Sequence, residues 1–206
     1  MNNYDKMLAD AQHRVTTYDM AALAQSYGVK DMGAHLQTVF FAETVLLDKA
    51  TGLVTVGERL GDFGETLSVL DWLCDRKPHA APSYEFCAVG SLPGVYVGGS
   101  GLVMNSSALA MKIHKDPQTF RKTCEILGAK PVPMGDLGYQ VQIFPDLPMC
   151  LKFYFGDEEF PPQLTFQWDK NTLQFVRYET VYYIAGCLQK RLRGLMDVYS
   201  AQQGSI

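Results

Sequence analysis

The feature that most constrains the fold is the stretch from Leu151 to Leu188, where two alternating apolar runs flank a compact acidic loop. Alternation with a period of two is typical of strands that bury one face. The inward positions are Leu151, Phe153 and Phe155 in the first run and Leu164, Phe166 and Trp168 in the second. The loop between them, Gly156 to Pro162, and the helical pattern after the second run predict an antiparallel hairpin followed by a helix.

The first half of the chain alternates between helical and strand patterns. Residues 3–28 predict a helix that ends at Gly28, with Thr17 as the cap if a second helix starts within it. Residues 36–56 predict a hairpin whose turn runs from Asp48 to Gly52. A further helix is predicted from Thr66 to Lys77, and Asp62 precedes it as a loop anchor or cap.

The second half adds helices, one more strand region and a closing helix. Residues 84–89 predict a short strand, and residues 106–128 predict helices that break at Asp116 and Pro117. Residues 139–143 alternate as a strand, and Thr180 to Val198 predict the last helix. Hairpins interleaved with helices indicate an α+β fold: an antiparallel sheet built from hairpins with helices packed on it, in a single domain spanning residues 1–206.

The composition indicates a folded globular protein, with 47% apolar and 19% charged residues. The net charge is −4, and the densest basic group, Lys190, Arg191 and Arg193, lies at the predicted end of the last helix. Because cations there complement the helix dipole, we expect a solvated helix end and no nucleic-acid partner. No window approaches the roughly 18 uninterrupted apolar residues of a membrane span, so we expect no membrane partner.

The five cysteines are scattered, and no two of them have C-x-x-C spacing. This pattern predicts neither a zinc ribbon nor an iron–sulfur site. The N-terminal residues carry charges throughout and lack the apolar core of a signal peptide. We therefore expect reduced thiols and a cytoplasmic location.

The strongest candidate for chemistry is the run Asp157, Glu158 and Glu159. Adjacent carboxylates repel one another unless a cation or backbone N–H groups lie near them. Three hypotheses follow: a structural anchor or solvated loop, a contact with a small molecule or protein partner, and a site for a hard divalent cation.

Two glycine-containing segments invite functional interpretations of lower specificity. Asp62, Phe63 and Gly64 spell the metal-binding triplet of protein kinases, but the chain has no H-R-D catalytic loop, so a tight turn before a helix is favoured. The cluster from Gly98 to Gly101 lacks the order of a phosphate-binding loop, so a turn is favoured over an anion site.

The triplet Asp62-Phe63-Gly64 and the motif from Gly156 to Pro161 resemble an uncharacterised prokaryotic family, domain of unknown function 3786. The resemblance implies a single domain of about this length, an occurrence in anaerobes and a link to corrinoid or one-carbon metabolism. Some relatives carry an added cysteine segment that this chain lacks. No catalytic residue or cofactor is carried over; the candidate ligand-binding residues are Asp62, Phe63, Gly64, Asp157, Glu158, Glu159 and Phe160.

These observations favour a non-enzymatic module that binds a small molecule or a protein partner, with the two motifs forming one shared surface. The first alternative is a metal-assisted enzyme with Asp157, Glu158, Glu159 and Asp62 as oxygen ligands. The second alternative is a purely structural role for the acidic loop.

Overall fold

The computed structural model describes residues 2–95 and 106–203 and confirms the α+β class. The strands are antiparallel, as predicted, and they divide between two five-stranded sheets. The glycine cluster from Gly98 to Gly101 lies outside the described residues.

The first sheet contains β1 to β5 in chain order. Its strands are β1 (Lys30–Asp31), β2 (His35–Phe40), β3 (Glu43–Asp48), β4 (Val54–Val56) and β5 (Arg59–Leu60). The predicted turn between β3 and β4 is confirmed: the Asp48 carboxylate accepts the backbone N–H groups of Ala50 and Thr51. The sequence pattern did not show the tight turn between β2 and β3, where Phe41 and Ala42 have φ values of 46° and 65°.

The second sheet has the order β6-β10-β9-β8-β7. Its strands are β6 (Phe86–Cys87), β7 (Lys130–Pro131), β8 (Leu137–Phe144), β9 (Leu147–Tyr154) and β10 (Gln163–Asp169). The predicted hairpin is β9 and β10, in which Leu151 lies opposite Phe166. Five of its six inward positions are buried, but the prediction for Phe155 is wrong: this residue follows β9, and 39% of its surface is exposed.

Seven helices complete the described part of the chain. They are α1 (Asn3–Thr16), α2 (Met20–Tyr27), α3 (Phe63–Cys74), α4 (Ser107–Lys115), α5 (Pro117–Ile126), α6 (Thr172–Phe175) and α7 (Tyr178–Gln203). Gly28 ends α2 with a φ of 65°, and Asp116 caps α5, both as predicted. The cap of α2 is Asp19 rather than Thr17, because the Asp19 carboxylate accepts the N–H groups of the first turn.

The last helix, α7, continues past the predicted end at Val198 to Gln203. Lys190 and Arg191 therefore lie within it and not at its end. Lys190 pairs with Asp62 and Arg191 with Glu43, so these two cations join α7 to α3 and to the first sheet.

The two sheets share one core with the helices. The Phe41 N–H donates to the carbonyl oxygen of Ile143 at 3.0 Å, which links β8 to the turn after β2. On α3, Trp72 stacks on Phe144 with ring centroids 4.4 Å apart. In the described ranges, no helix combines the length and apolar character that crossing a membrane requires.

Candidate functional site

The acidic loop is a rigid turn built around Asp157. The Asp157 carboxylate accepts the backbone N–H groups of Phe160 at 2.8 Å and Glu159 at 2.9 Å, and its own N–H donates to the Phe160 carbonyl. The hydrogen bonds from Phe160 and Glu159 hold the pKa of Asp157 below its usual value. Asp157 therefore has a structural function inside the loop.

The other predicted loop residues face solvent. Phe160 is 61% exposed, and the carboxylates of Glu158 and Glu159 accept no hydrogen bond from any described residue. The loop forms a shallow surface with Met111 and His114 of α4, and the Gly156 N–H lies 3.3 Å from His114 Nδ1. Nowhere in residues 2–95 and 106–203 do three or more acidic, histidine or cysteine side chains form a group placed to hold a metal ion.

Asp62 is the N-cap of α3, as predicted. Its carboxylate accepts the Glu65 N–H at 3.0 Å, and the Glu65 carboxylate accepts the Asp62 N–H at 2.9 Å, which completes a capping box. Arg59 donates two 2.6 Å hydrogen bonds to Glu65, and Lys190 donates one of 2.7 Å to Asp62. The motif thus fixes the start of α3.

Phe63 and Gly64 hold this helix start against its neighbours. The ring of Phe63 packs edge-on between Tyr4 of α1 and Tyr183 of α7, at 5.2 and 5.5 Å. A Cβ on Gly64 would lie 3.2 Å from Cys187 Sγ, so glycine permits the close approach of α3 and α7.

We expect Asp62→Ala to lower the free energy of unfolding by about 1 kcal/mol at pH 7, the usual cost of a lost N-cap. Burial acts to raise the pKa of Asp62, but the hydrogen bonds from Lys190 and the Glu65 N–H together lower it by a larger amount. The pKa of Asp62 therefore lies below the usual 3.8. Because the pKa is lowered in the folded state, ionised Asp62 stabilises the protein at pH values above 3.8. This stabilisation is lost as the pH falls through the pKa of the folded state. Urea denaturation of both proteins at pH 7 and at pH 2 should therefore show a smaller difference in acid.

Asp62→Asn is the control for this prediction, because asparagine keeps the capping acceptor and loses only the pair with exposed Lys190. We expect it to cost at most about 0.5 kcal/mol. Equal losses for the alanine and asparagine variants would show that the charge, and not the cap, is what matters.

The two predicted motifs have separate neighbours. Asp62 to Gly64 contact α1 and α7, whereas the loop from Gly156 to Pro162 lies against α4. In the described parts of the chain, no hydrogen bond, ion pair or ring contact joins them. The shared surface expected from the sequence has no direct contact to support it.

A cleft of about 320 Å³ lies between α1, α3 and α7, next to the ring of Phe63. It is lined by Met7, Asp10, Ala11, Arg14, Leu67, Asp71, Arg177, Glu179 and Tyr183. Asp71 is 1% exposed and accepts hydrogen bonds from Arg14 at 3.0 Å, Arg177 at 2.5 Å and the Thr180 hydroxyl at 2.6 Å. The base of the cleft is therefore a buried carboxylate with several donors.

Asp75 extends this arrangement into a cluster of four charges. It pairs with Arg14 at 2.9 Å and with Arg177 Nε at 2.9 Å, so each guanidinium bridges both aspartates. Burial raises the pKa of Asp71, although Thr180 and Arg177 act to lower it. We refer to Arg14, Asp71, Asp75 and Arg177 as the ion cluster.

Within the described residues, the mouth of the cleft carries unpaired charges and its walls are apolar, whereas the charges at its base are paired. Asp10 and Glu179 are exposed at the mouth, and neither forms a hydrogen bond or ion pair through its carboxylate with the residues that the structure describes. Met7, Leu67 and the ring of Tyr183 provide apolar wall. Local sequence patterns do not reveal this cleft, and the one available signal is Asp71, an acid between Leu70 and Trp72 in a largely apolar helix.

Comparison with known proteins identifies the family. No curated protein and no solved structure matches the chain. The family model for a domain of unknown function, DUF3786, matches residues 19–191. This range includes both predicted motifs and the α3 and α7 walls of the cleft, whereas Asp10 and Arg14 precede it. Because the match covers most of the sequence, the chain belongs to the DUF3786 family.

Proposed function

We propose that the protein is a non-enzymatic binding module that holds a small molecule in the cleft between α1, α3 and α7. The observation that carries the proposal is the cleft itself, whose volume of about 320 Å³ lies within the range of small-molecule sites. Its buried polar base and apolar walls are the combination by which such sites orient a ligand.

The chemistry of the lining favours binding over catalysis. Among the described residues that line the cleft there is no serine, cysteine, histidine or lysine that could act as a nucleophile with a partnered base. Asp71, the most buried of the acids that line the cleft, already accepts hydrogen bonds from three side chains. Its position is suited to holding the cleft in shape.

A thermal-shift screen of nucleotides, folates, corrinoids and divalent cations tests the proposal. Folates and corrinoids are included because the family resemblance implies one-carbon or corrinoid metabolism. Met7→Trp should fill the cleft from an exposed position and abolish any ligand-dependent rise in melting temperature. The matched control is Met111→Trp, since Met111 is a similarly exposed helical methionine away from the cleft. A hit that survives Met7→Trp would place its site elsewhere.

The acidic loop is a second candidate contact, for a protein partner or a divalent cation. What favours it is that a rigid turn presents Phe160, Glu158 and Glu159 to solvent. A hit that is lost in the double variant Glu158→Gln/Glu159→Gln and kept in Met7→Trp would assign the site to the loop. We retain a cytoplasmic location as part of the proposal, in keeping with five free thiols.

The structural function of Asp157 can be tested separately. Asp157→Ala should accelerate hydrogen exchange of the Glu159 and Phe160 amides, because it removes their shared acceptor. Asp157→Asn retains an acceptor oxygen and should leave the exchange close to that of the unsubstituted protein. Equal exchange in the alanine variant would contradict an anchoring function.

A further inference from the structure

We propose that the ligand of the cleft is a small organic cation, with an amine or guanidinium group on an apolar body. This inference rests on the proposed function, because it names the class of ligand for the same cleft.

The charges at the base of the cleft compensate one another. Arg14 and Arg177 each bridge Asp71 and Asp75, so two positive and two negative charges form a neutral ion cluster. An anionic ligand would meet two guanidiniums whose charges Asp71 and Asp75 already balance, and it would also meet the carboxylates of Asp10 and Glu179 in the same cleft. The lining therefore disfavours an anion.

The charges at the mouth are not compensated in this way. Asp10 on α1 and Glu179 at the start of α7 both line the cleft, and among the described residues no hydrogen bond or ion pair joins either carboxylate to Arg14 or Arg177. Two negative charges at one opening attract a positively charged head group and lower the cost of its desolvation.

The walls suit the rest of such a ligand. Met7, Ala11 and Leu67 offer apolar surface, and the ring of Tyr183 offers a face or edge to a cation or an aromatic body. The Tyr183 ring is held in place by its edge-on contact with Phe63. The motif Asp62-Phe63-Gly64 would thereby act on the ligand indirectly, by positioning a wall of the cleft.

Because Asp10 and Glu179 belong to different helices, a cation between them would also join α1 to α7. We therefore expect the bound cation to slow hydrogen exchange in α1, including the residues that precede the family-matched segment.

The test uses three probes with the same apolar body and different head groups: phenethylamine, 3-phenylpropionamide and 3-phenylpropionate. Isothermal titration calorimetry on the full chain should give the amine a Kd about ten-fold lower than that of the neutral amide. The carboxylate should bind more weakly than the amide. In Asp10→Asn/Glu179→Gln, the Kd of the amine should rise to that of the amide.

The matched control is Glu158→Gln/Glu159→Gln, which removes two exposed carboxylates from the acidic loop and should leave the affinity for the amine unchanged. Tighter binding of the carboxylate, no binding of the amine, or an amine affinity that the Asp10/Glu179 variant does not change would each overturn the cation assignment. If the carboxylate binds more tightly than the amine and Met7→Trp abolishes that binding, the proposed function stands and only the ligand class is wrong. If no probe and no compound of the screen binds in a way that Met7→Trp abolishes, both proposals fail.

Discussion

Replacing Asp71 with asparagine is expected to lower the free energy of unfolding by about 3 kcal/mol. The change removes one of the two anions that Arg14 and Arg177 share, and it leaves two guanidiniums facing only Asp75. The value is at the lower end for a broken buried pair, because Arg14 and Arg177 are themselves 33% and 54% exposed and regain some hydration. Burial also raises the pKa of Asp71, so the cost of burying its charge already offsets part of what the ion pairs contribute. Urea denaturation at pH 7 measures the difference.

Asp10→Asn is the matched control, since it neutralises an exposed acid in the same cleft. We expect it to change the free energy of unfolding by less than about 0.5 kcal/mol. A loss for Asp71→Asn no larger than that of the control would mean that the ion cluster contributes nothing net to stability. That result would weaken the argument that the ion cluster holds the two guanidinium charges in balance and so disfavours an anion.

Local patterns were sufficient to predict the elements whose causes are local. The hairpin of β9 and β10 follows from the alternation that starts at Leu151 and again at Leu164, because a strand that buries one face needs an apolar residue at every second position. The earlier part of β9, from Leu147 to Leu151, is buried on both faces and shows no such alternation. Asp62 and Asp116 were identified at helix starts because their carboxylates accept backbone N–H groups, and Gly28 was identified at a helix end because glycine adopts a positive φ at low cost. Phe155 failed because the alternating pattern continues one step past the last residue of β9.

The cleft depends on tertiary packing, which no local pattern encodes. Arg14 lies in α1, Asp71 lies in α3 and Arg177 directly precedes α7, and the first and last of them are more than 160 positions apart. Their meeting depends on α1 and α7 both packing against α3, and a single sequence gives no measure of that packing. The division of the strands into two sheets has the same origin, because it is decided by which hairpin each strand pairs with.

The acidic loop lies between these cases. Its residues were identified from the sequence, but the sequence did not show which of them is structural and which face solvent. Asp157 satisfies two backbone donors, while Glu158 and Glu159 extend into solvent. The structural and binding hypotheses therefore apply to different residues of the same loop.

Gly156→Ala is expected to lower the free energy of unfolding by about 2 kcal/mol, through overpacking at the neck of this loop. A Cβ at this position would lie 2.6 Å from Pro162 Cδ and 2.8 Å from Pro162 N. Neither atom belongs to a flexible side-chain end, so the neck must widen and the Phe160 carbonyl must move with it.

The matched control is Gly186→Ala, because a Cβ at Gly186 of α7 meets nothing within 4 Å. Alanine there should raise the free energy of unfolding by about 0.5 to 1 kcal/mol, as expected in a helix interior. Urea denaturation separates the two variants by the sign of their effects, and hydrogen exchange should show faster exchange at Phe160 in Gly156→Ala alone. A Gly156→Ala protein with unchanged stability and exchange would show that the loop tolerates a wider neck. The solvent-facing positions of Glu158, Glu159 and Phe160 would then not be fixed by the turn, and the case for the loop as a preorganised contact surface would fail.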